Sequence, residues 1–403
     1  MNPSALQAKR ENTKRLLTYL IRHGEVSRRA LASALGLSSA TVTNLVTDLI
    51  ARDLVFESRM ESSCVGRKTA MLRFHADIKC VMTVEISSPA ELNLTICNFS
   101  GEVSASRSEY IDMVITGTRT ESSVLKDIIR ACVSFYRQQP AKIRQKLFAV
   151  GLCVGGMVGA KQLIDAPMMN WSHLNLVLPL EAALHLPVYA EGITRVKALY
   201  ELEFVEPSEK NVIYLNLSTG IGMVNFFDGK MVMGKTGIAG EIGHISLNLD
   251  GPRCYCGNSG CFEYYCGQTQ MLEHAHDLLA QIDHNDVFYD LVVHQHRQIT
   301  PELLHIARES GSLTIHEFLC TVSRYLGAGL ATIQNIYDPD RIIISGYHDA
   351  LDSFVIETAI SEAKAKIINR FSRSINVSYT HIKNDQLVLA ISSFVLTKFL
   401  KQL

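Results

Sequence analysis

Three cysteines within eight residues constrain this chain more than any other feature of its sequence. They follow the spacing Cys254-x-Cys256-x4-Cys261, with His244 before the first cysteine and Cys266 after the last. A zinc ion takes four thiolate or imidazole ligands in a tetrahedron, so the three cysteines would supply three of them. The fourth ligand is His244 or Cys266, and the spacing does not decide between them.

Four protein ligands leave no open position for water, so a site of this kind is structural. The alternative is a loop of free or redox-active cysteines. The chain has ten cysteines in all, and those outside the cluster stand singly among apolar neighbours. This pattern favours a metal cluster plus buried thiols over a disulfide scaffold.

The charge of the chain is unevenly distributed. Residues 1–80 contain 13 Lys and Arg against 7 Asp and Glu, a net of +6, whereas the remainder contains 26 against 33, a net of −7. A basic head on an acidic body indicates that the head binds a polyanion. With 403 residues, 47% of them apolar and 20% charged, the chain is long enough for two or three domains, and its composition excludes a disordered chain or a coiled-coil rod.

The first residues carry no apolar core of the kind that a secretory signal has. No uninterrupted apolar run approaches the roughly 20 residues that a bilayer span requires. We therefore expect a soluble, cytoplasmic protein without stable membrane insertion.

The head shows the pattern of short helices joined by a tight turn. The helices predicted from apolar spacing are 12–23, 28–35 and about 39–52. Ser27 is a candidate N-cap of the second helix, Ser38 or Ser39 of the third, and Gly36 supplies the turn between them. Two short helices joined in this way form a helix-turn-helix, whose second helix enters the major groove of DNA.

The third predicted helix has one apolar and one small polar face. Its apolar face consists of Val42, Leu45, Val46, Leu49 and Ile50. Residues 54–56 and 71–74 then form two strands that flank a wing, and a glycine-flanked arginine in that wing can enter a narrow minor groove. The residues to which we assign DNA contacts are Arg28, Ser39, Thr41, Thr43, Asn44, Arg67 and Lys68. The alternative is a helical hairpin that only packs on the body.

Beyond residue 76, predicted strands and helices alternate, which indicates an α/β architecture with two similar lobes. The predicted strands are 81–86, 92–97, 147–154, 187–189, 212–217 and 341–345, and the predicted helices are 123–137, 179–184, 194–204, 270–281, 300–310 and 313–337. Residues 218–222, Ser-Thr-Gly-Ile-Gly, could present backbone N–H groups to a phosphate, although such glycines more often make only a turn.

Two motifs in the body and two in the head together resemble the ROK family (repressors, open reading frames, kinases), and within it the Mlc, NagC and xylose-repressor branch. The motifs are Ala-Gly-Glu-Ile-Gly-His at 239–244, Arg-Cys-Tyr-Cys-Gly-Asn-Ser-Gly-Cys-Phe-Glu at 253–263, the helix-turn-helix segment 26–43 and Gly-Arg-Lys at 66–68. The resemblance covers nearly the whole chain. It implies a winged helix-turn-helix followed by an actin/hexokinase-like two-lobed body.

The resemblance also implies domain boundaries and a ligand set for zinc. The implied domains are a DNA-binding domain at 1–75, a first lobe at 76–189 that includes a C-terminal helix at 385–403, and a second lobe at 190–384 with the zinc loop and dimerisation helices. The implied zinc ligands are His244, Cys254, Cys256 and Cys261, which leaves Cys266 as a bystander.

In sugar-binding members of the family, residues that correspond to Glu241, His244 and Glu263 touch sugar hydroxyls. We expect these three, together with Gly156 and Asn170, to bind an effector in the cleft between the lobes. Zinc on one ring nitrogen of His244 would orient the other nitrogen toward such a ligand. The alternative is that the two acids only brace the zinc loop.

The chain departs from the catalytic members of the family at two places. The kinases carry Asp-x-Gly-Gly-Thr on the first body strand, where this chain has Glu-Ile-Ser-Ser-Pro at 85–89. They also carry Glu-Asn-Asp where this chain has Glu191-Gly192-Ile193, and an isoleucine cannot accept the proton of a sugar hydroxyl. The sequence therefore predicts a protein that is not an enzyme.

The combined expectation is a transcriptional regulator, most simply a repressor of sugar-utilisation genes. It would bind a palindromic operator in double-stranded DNA as a homodimer or a dimer of dimers. A sugar or sugar derivative would control it. One alternative is control by a protein partner such as a phosphotransferase component, which governs Mlc-like members, and another is a sugar kinase with an added DNA-binding domain.

Overall fold

The computed structural model divides the chain into two units, Met1–Pro207 together with Asp385–Leu403, and Ser208–Asn384. It describes the whole chain except residues 1–2, 63–67, 206–208, 347–351, 369–373 and 383–385. No single described helix has the length and hydropathy of a membrane span, although one bent pair of short helices, Arg28–Leu35 and Ser39–Ala51, meets that test of composition together.

The head consists of three helices and a small antiparallel sheet. Its elements are α1 (Pro3–His23), β1 (Val26–Ser27), α2 (Arg28–Leu35), α3 (Ser39–Ala51), β2 (Val55–Ser62) and β3 (Lys68–Phe74). The strand order is β1-β3-β2, with Val55 opposite Phe74. These elements confirm the predicted winged helix-turn-helix. The tip of the wing, which includes Arg67, lies outside the described residues, and so does the side chain of Lys68.

Local signals in the sequence set the ends of α2 and α3. The hydroxyl oxygen of Ser27 accepts the backbone N–H three residues further on at 3.2 Å, and that of Ser38 does the same at 3.1 Å. Gly36 follows α2 with a φ of 65°, a left-handed conformation that glycine adopts without steric cost. The bounds of α2 are as predicted, and Ser38 rather than Ser39 caps α3.

A compact apolar core holds the head together. The fully or almost fully buried side chains include Leu16, Leu17, Leu20, Leu31, Val42, Leu45, Val46, Leu49, Leu54 and Leu72. Ile50, which the sequence analysis placed on the apolar face of α3, is 37% exposed. The core face of α3 is therefore narrower than predicted, and the rest of the helix surface is open to solvent.

The body is built from thirteen further strands and eleven further α-helices among the described residues. The strands are β4 (Cys80–Ile86), β5 (Glu91–Asn98), β6 (Val103–Tyr110), β7 (Leu147–Val154), β8 (Met157–Val158), β9 (Ile164–Ala166), β10 (Trp171–Leu174), β11 (Val188–Gly192), β12 (Val212–Leu217), β13 (Ile221–Phe227), β14 (Lys230–Met231), β15 (Arg341–Gly346) and β16 (Val377–Tyr379). The helices are α4 (Glu121–Gln138), α5 (Ala141–Lys146), α6 (Val177–Leu184), α7 (Ile193–Tyr200), α8 (Phe262–Cys266), α9 (Gln268–Leu278), α10 (Val287–Tyr289), α11 (Pro301–Glu309), α12 (Leu313–Tyr337), α13 (Asp352–Lys366) and α14 (Leu387–Gln402).

The body part of the first unit centres on a five-stranded sheet with the order β11-β7-β4-β5-β6. Strands β11, β7 and β4 run parallel, so their carboxyl ends meet at one edge of the sheet. β5 and β6 continue the sheet antiparallel. A small antiparallel sheet, β10-β9-β8, follows β7 along the chain.

The second unit centres on another five-stranded sheet, with the order β14-β13-β12-β15-β16. The long helix α12 packs against α13 and α8 through positions without side chains. A Cβ at Gly327 would lie 2.7 Å from the carbonyl oxygen of Ala359 in α13, and one at Gly329 would lie 2.4 Å from the ring of Phe262. These two glycines let α12 approach both helices closely, and the approach holds α8 against α12.

The structure adds elements that the sequence did not predict, such as α13 and β16, and it differs from the sequence-based organisation in two further places. Residues 190–207, expected in the second lobe, belong to the first unit, because β11 pairs with β7 and α7 packs against α14. Strand β13 was not predicted, because Gly220 and Gly222 suggested a loop. Instead Ser218 and Gly220 form a tight turn, and β13 returns antiparallel to β12.

Candidate functional site

The helix α3 presents a small polar face to solvent. Ser39, Thr43, Asn44 and Thr47 are exposed, whereas the leucines and valines on the opposite side are buried. Ser39, Thr43 and Thr47 follow one another at intervals of four residues along this face, and none of the four exposed residues is charged. Such a surface can approach the base edges of a DNA groove.

The threonine hydroxyl groups of α3 already have partners within the helix or at its N-cap. The Thr43 Oγ1 donates to the carbonyl of Ser39 at 2.8 Å, and the Thr47 Oγ1 donates to that of Thr43 at 2.9 Å. Thr41 Oγ1 lies 2.8 Å from the hydroxyl oxygen of Ser38. The threonines therefore offer methyl groups and acceptor lone pairs outward, and the Asn44 amide can donate to and accept from an adenine edge at the same time.

Arg28 is the first residue of α2. Its Nη1 lies 3.0 Å from Glu57 Oε1, and the side chains of Arg28 and Glu57 are 32% and 49% exposed. An ion pair this exposed contributes at most about 1 kcal/mol. Arg28 can therefore exchange Glu57 for a phosphate group at little cost.

Four side chains of the second unit come together as a potential metal site. One ligand atom from each of His244, Cys254, Cys256 and Cys261 lies within 4.8 Å of all the others. His244 Nδ1 is 3.8 Å from Cys254 Sγ, and Cys256 Sγ is 3.7 Å from Cys261 Sγ. These are the four residues that the family resemblance implied.

The surrounding backbone fixes the cysteine loop. Isolated bridges join Ser246 to Cys261 and Arg253 to Ser259, and Asn258 Nδ2 donates to the carbonyl of His244 at 3.1 Å. Gly260 has a φ of 61°, and a Cβ there would lie 1.7 Å from the Asn248 carbonyl oxygen, so no other residue fits. The loop is thus tied to the segment that carries His244.

Cys266 takes no part in the cluster. It lies in α8, where its thiol donates to the carbonyl of Val322 in α12 at 3.4 Å, and burial raises its pKa well above the ordinary value. The structure thereby answers the question that the spacing left open. The fourth donor beside the cysteines is the imidazole of His244.

The donor set suits zinc. Three thiols and an imidazole nitrogen are the ligands that Zn²⁺ prefers in structural sites. Burial and the neighbouring thiols raise the pKa of Cys261 to about 12 in the absence of a cation. A dication among the sulfur atoms would favour the thiolates and remove that penalty.

A chain of hydrogen bonds leads away from the potential metal site. His244 Nε2 lies 3.5 Å from the hydroxyl of Tyr255, which donates to Glu263 Oε1 at 2.6 Å. The other oxygen, Glu263 Oε2, accepts the backbone N–H of Ile221 at 2.6 Å. Burial of the hydroxyl and the nearby Glu263 carboxylate raise the pKa of Tyr255, so the phenol stays protonated and donates.

The turn between β12 and β13 lies against the Glu263 carboxylate and donates a backbone N–H to it. A Cβ on Gly220 would lie 2.5 Å from Glu263 Oε2, so glycine is needed for the close approach. The Ile221 amide that could have faced a phosphate is directed at Glu263 instead.

The sequence analysis did not predict the roles of Tyr255 and Ile221 at this site. Only the position of Tyr255 between two of the cysteines could have pointed to it.

Of the remaining residues assigned to effector binding, Glu241 is next to His244, whose backbone N–H donates to the Glu241 carbonyl at 3.2 Å. Glu241 is exposed and precedes the 3-10 turn Ile242–His244 in the second unit. Gly156 and Asn170 belong to the first unit. A Cβ on Gly156 would lie 2.6 Å from the Asp165 carbonyl oxygen, and Asn170 Nδ2 donates to the Ile115 carbonyl at 3.0 Å.

Charged side chains fill the carboxyl edge of the parallel strands in the first unit. Glu191, at the end of β11, lies 3.1 Å from Arg195 Nη1, and both side chains are 9% exposed. Glu85 in β4 and Lys197 in α7 are a second acidic and basic pair in electrostatic contact, and burial raises the pKa of Glu85 and lowers that of Lys197. Ile193 begins α7 next to them.

Comparison with known families covers both parts of the chain. The ROK family profile matches residues 91–396, and the MarR family profile matches residues 12–63. The xylose repressor of Bacillus subtilis is 24% identical over 394 residues, which cover 97% of this chain and 96% of that protein. The DNA-binding transcriptional dual regulator NagC of Escherichia coli is 24% identical over 400 residues, which cover 97% of this chain and 93% of that protein.

Solved structures share the fold. The crystal structure of a ROK family transcriptional regulator, a homologue of the E. coli MLC protein, superimposes with a TM-score of 0.77 at 20% identity and covers 98% of this chain and 99% of its own. A ROK family glucokinase from Streptomyces griseus, in complex with glucose and AMPPNP, gives a TM-score of 0.64 at 21% identity and covers 78% of this chain and 98% of its own. The fold is a winged helix-turn-helix joined to an actin/hexokinase-like body.

Proposed function

Because the chain belongs to the ROK family, we propose that it is a DNA-binding transcriptional repressor of sugar-utilisation genes, controlled by a sugar or sugar derivative. The observation that carries this proposal is the exposed polar face of α3, which lies in a winged helix-turn-helix ahead of the ROK body. The names of the relatives, xylose repressor and NagC, support the same function.

In this proposal α3 is the recognition helix. Asn44 makes paired hydrogen bonds to an adenine, and Thr43 contacts a thymine methyl group. The remaining contacts are made by Ser39 and Thr41 at the start of the helix, by Arg28 to phosphate, and by Arg67 and Lys68 in the wing. The basic charge of residues 1–80 supports this assignment, because phosphate contacts dominate the affinity for DNA.

The proposed effector-binding residues of the second unit are Glu241, His244 and Glu263, and the sequence-based assignment also names Gly156 and Asn170 of the first unit. Carboxylate oxygens and an imidazole nitrogen form a set of acceptors and donors that suits a polyol. The effector lowers the affinity for the operator by binding more tightly to a conformation that is less competent for DNA, since a ligand with equal affinity for both states shifts nothing.

The zinc ion would be held by His244, Cys254, Cys256 and Cys261. It would be structural, because four protein ligands leave no open position. Its chemistry would be to keep the three thiols deprotonated and the cysteine loop folded. With His244 bound through Nδ1, the ring presents Nε2 toward Tyr255 and the effector site.

We place the protein in the cytoplasm, where its operator lies, as a homodimer or a dimer of dimers. A two-fold dimer brings two copies of α3 to a palindromic operator, and its symmetry would match that of the DNA.

Phosphoryl transfer is not part of the proposal. The base of the kinases corresponds to Ile193, and residues 85–89 lack the glycines and threonine of a phosphate loop. The Glu191–Arg195 ion pair and the side chains of Glu85 and Lys197 already occupy that edge, which supports the same conclusion.

One observation favours a second candidate, in which a protein partner such as a phosphotransferase component replaces the sugar. His244 and Glu263 already share the hydroxyl of Tyr255. Because a side chain of the protein itself already occupies these two polar groups, they do not require a small ligand as a partner. This candidate predicts no response of the DNA complex to sugars and a stable complex with the partner.

The test is DNA binding by fluorescence anisotropy, with DNA from upstream of the protein's own gene at one stated salt concentration. D-xylose, N-acetylglucosamine and their phosphates are then titrated into the complex. Release of the DNA by one compound supports the sugar-controlled repressor. Tight binding that no compound reverses supports the protein partner, and absence of DNA binding overturns the proposal.

A further inference from the structure

Tyr255 covers the polar atoms of the proposed effector site. It lies between Cys254 and Cys256, and its ring meets that of His244 edge-on, with an interplanar angle of 90° and 5.4 Å between centroids. The side chain position is set by the cysteine loop, where the Cys254 amide donates to the Asn258 carbonyl at 2.8 Å. The ring is therefore presented to His244 by a loop with little freedom.

The hydroxyl of Tyr255 occupies the one oxygen of Glu263 that can serve a ligand. Glu263 Oε2 is committed to the Ile221 amide, and the residue is only 3% exposed. Glu263 Oε1 accepts from Tyr255 at 2.6 Å, and His244 Nε2 lies 3.5 Å from the same hydroxyl. The phenol thus stands where a sugar hydroxyl would contact both residues.

Tyr255 can also leave this position without opening a void in the core. It is 51% exposed, whereas its acceptor Glu263 is buried. Rotation of the side chain toward solvent exchanges its hydrogen bond to Glu263 for one to water. A residue that is held by one charged hydrogen bond and is half in solvent has the properties of a displaceable cover.

We infer that the Tyr255 hydroxyl is a built-in competitor of the effector, and that a polyol binds by displacing it from Glu263 Oε1 and His244 Nε2. The inference rests on the proposed effector site. It makes Tyr255 the residue that sets the affinity of the site. Ligands that cannot replace the lost hydrogen bond with a hydroxyl of their own are rejected.

The experiment compares the zinc-loaded full chain with Tyr255→Phe, Tyr255→Ala and the matched control Tyr264→Phe. Tyr264 is a half-buried tyrosine in α8 whose ring packs on Tyr265 and His274 rather than on the effector site. Binding of D-xylose and of N-acetylglucosamine is measured by calorimetry, zinc content by atomic absorption, and operator binding by anisotropy.

We expect Tyr255→Phe to bind one of the sugars ten- to a hundredfold more tightly than the unaltered chain, because a charge-assisted hydrogen bond no longer competes. Tyr255→Ala should also bind that sugar more tightly than the unaltered chain, and Tyr264→Phe should bind it with unchanged affinity. Zinc content and operator affinity without sugar should be unchanged in all variants.

Two results would overturn the inference while leaving the repressor assignment in place. In the first, Tyr255→Phe binds the sugar no better or more weakly than the unaltered chain, which means that the phenol assists the ligand. In the second, operator binding is intact but neither Tyr255 variant takes up either sugar, so freeing Glu263 Oε1 and His244 Nε2 does not create a site. Failure of operator binding itself would instead refute the proposed function.

Discussion

The buried carboxylate of Glu263 makes a prediction that separates hydrogen bonding from packing. Each of its oxygens accepts one hydrogen bond, from Ile221 N–H and from the Tyr255 hydroxyl, both at 2.6 Å. Glu263→Gln keeps an acceptor for Ile221 and offers its amide N–H to the phenol oxygen. Glu263→Leu has a similar volume but leaves the Ile221 N–H, in a residue that is 4% exposed, without a partner.

The two substitutions should therefore differ in stability. Glu263→Gln exchanges charged for neutral hydrogen bonds and recovers the desolvation of the carboxylate, so we expect a loss of about 1 kcal/mol. Glu263→Leu loses both bonds and strands a buried donor, so we expect a loss of about 3 kcal/mol. For a unit of this size about 3 kcal/mol corresponds to roughly 6–12 °C in melting temperature.

The assay is calorimetry of the zinc-loaded chain, with hydrogen exchange of the segment 212–227 as the local readout. Glu57→Gln, at an exposed ion pair in the head, is the control and should change stability by less than about 1 kcal/mol. Two results would refute this reasoning: Glu263→Leu has the same melting temperature as Glu263→Gln, or hydrogen exchange over residues 212–227 is unchanged in Glu263→Leu. Either result would mean that the carboxylate does not stabilise the β12–β13 turn.

Three further predictions concern the head, the metal site and a buried thiol. Asn44→Ala should weaken operator binding about tenfold to a hundredfold in anisotropy, with an unchanged salt dependence and unchanged binding to random DNA; a uniform loss on both DNAs would argue against base recognition. Cys254→Ala should lower the zinc content and cost folding and regulation together; full zinc content with intact repression would contradict the assigned ligand set. Burial raises the pKa of Cys132 from 9.0 to about 12, so its contribution to stability is complete below about pH 9 and is lost as the pH rises toward 12. Between pH 9 and pH 12 the melting temperature of Cys132→Ala should fall less steeply than that of the unaltered chain. If the two melting temperatures fall in parallel with pH, the stability contribution assigned to Cys132 is wrong.

Much of the head follows from local signals in the sequence. The N-caps Ser27 and Ser38 and the turn at Gly36 fix α2 and α3, because each acts through hydrogen bonds within three residues or through its own φ. The apolar spacing then fixes which face of α3 is buried. The exposure of Ile50 was not predictable in this way, since it depends on what other elements cover.

At the metal site, local sequence spacing predicts three of the ligands but not the fourth. The spacing of the three cysteines indicates zinc, because a short loop brings their sulfur atoms together. The fourth ligand depends on the path of the chain between residues 244 and 254 and on the direction of α8. Cys266 is nearer in sequence to Cys261, but it belongs to a helix that packs on α12, and so its thiol faces away.

The effector site depended still more on tertiary structure. Glu263 was singled out by its motif, but the sequence carried no sign that Ile221 and Tyr255 would bind its two oxygens. Nor did it reveal that residues 190–207 join the first unit through the pairing of β11 with β7.

The sequence by itself determined the winged helix-turn-helix, the α/β class of the body and the cysteines of the metal site. Those features arise from periodicity, capping and short-range spacing, which act over a few residues. The family resemblance implied His244 as the fourth ligand, but only the tertiary structure brings it to the cysteines, sets where the two units divide and places Tyr255 over Glu263. These depend on contacts between segments far apart in the chain, such as Ile221 and Glu263, where packing rather than local preference selects the partner.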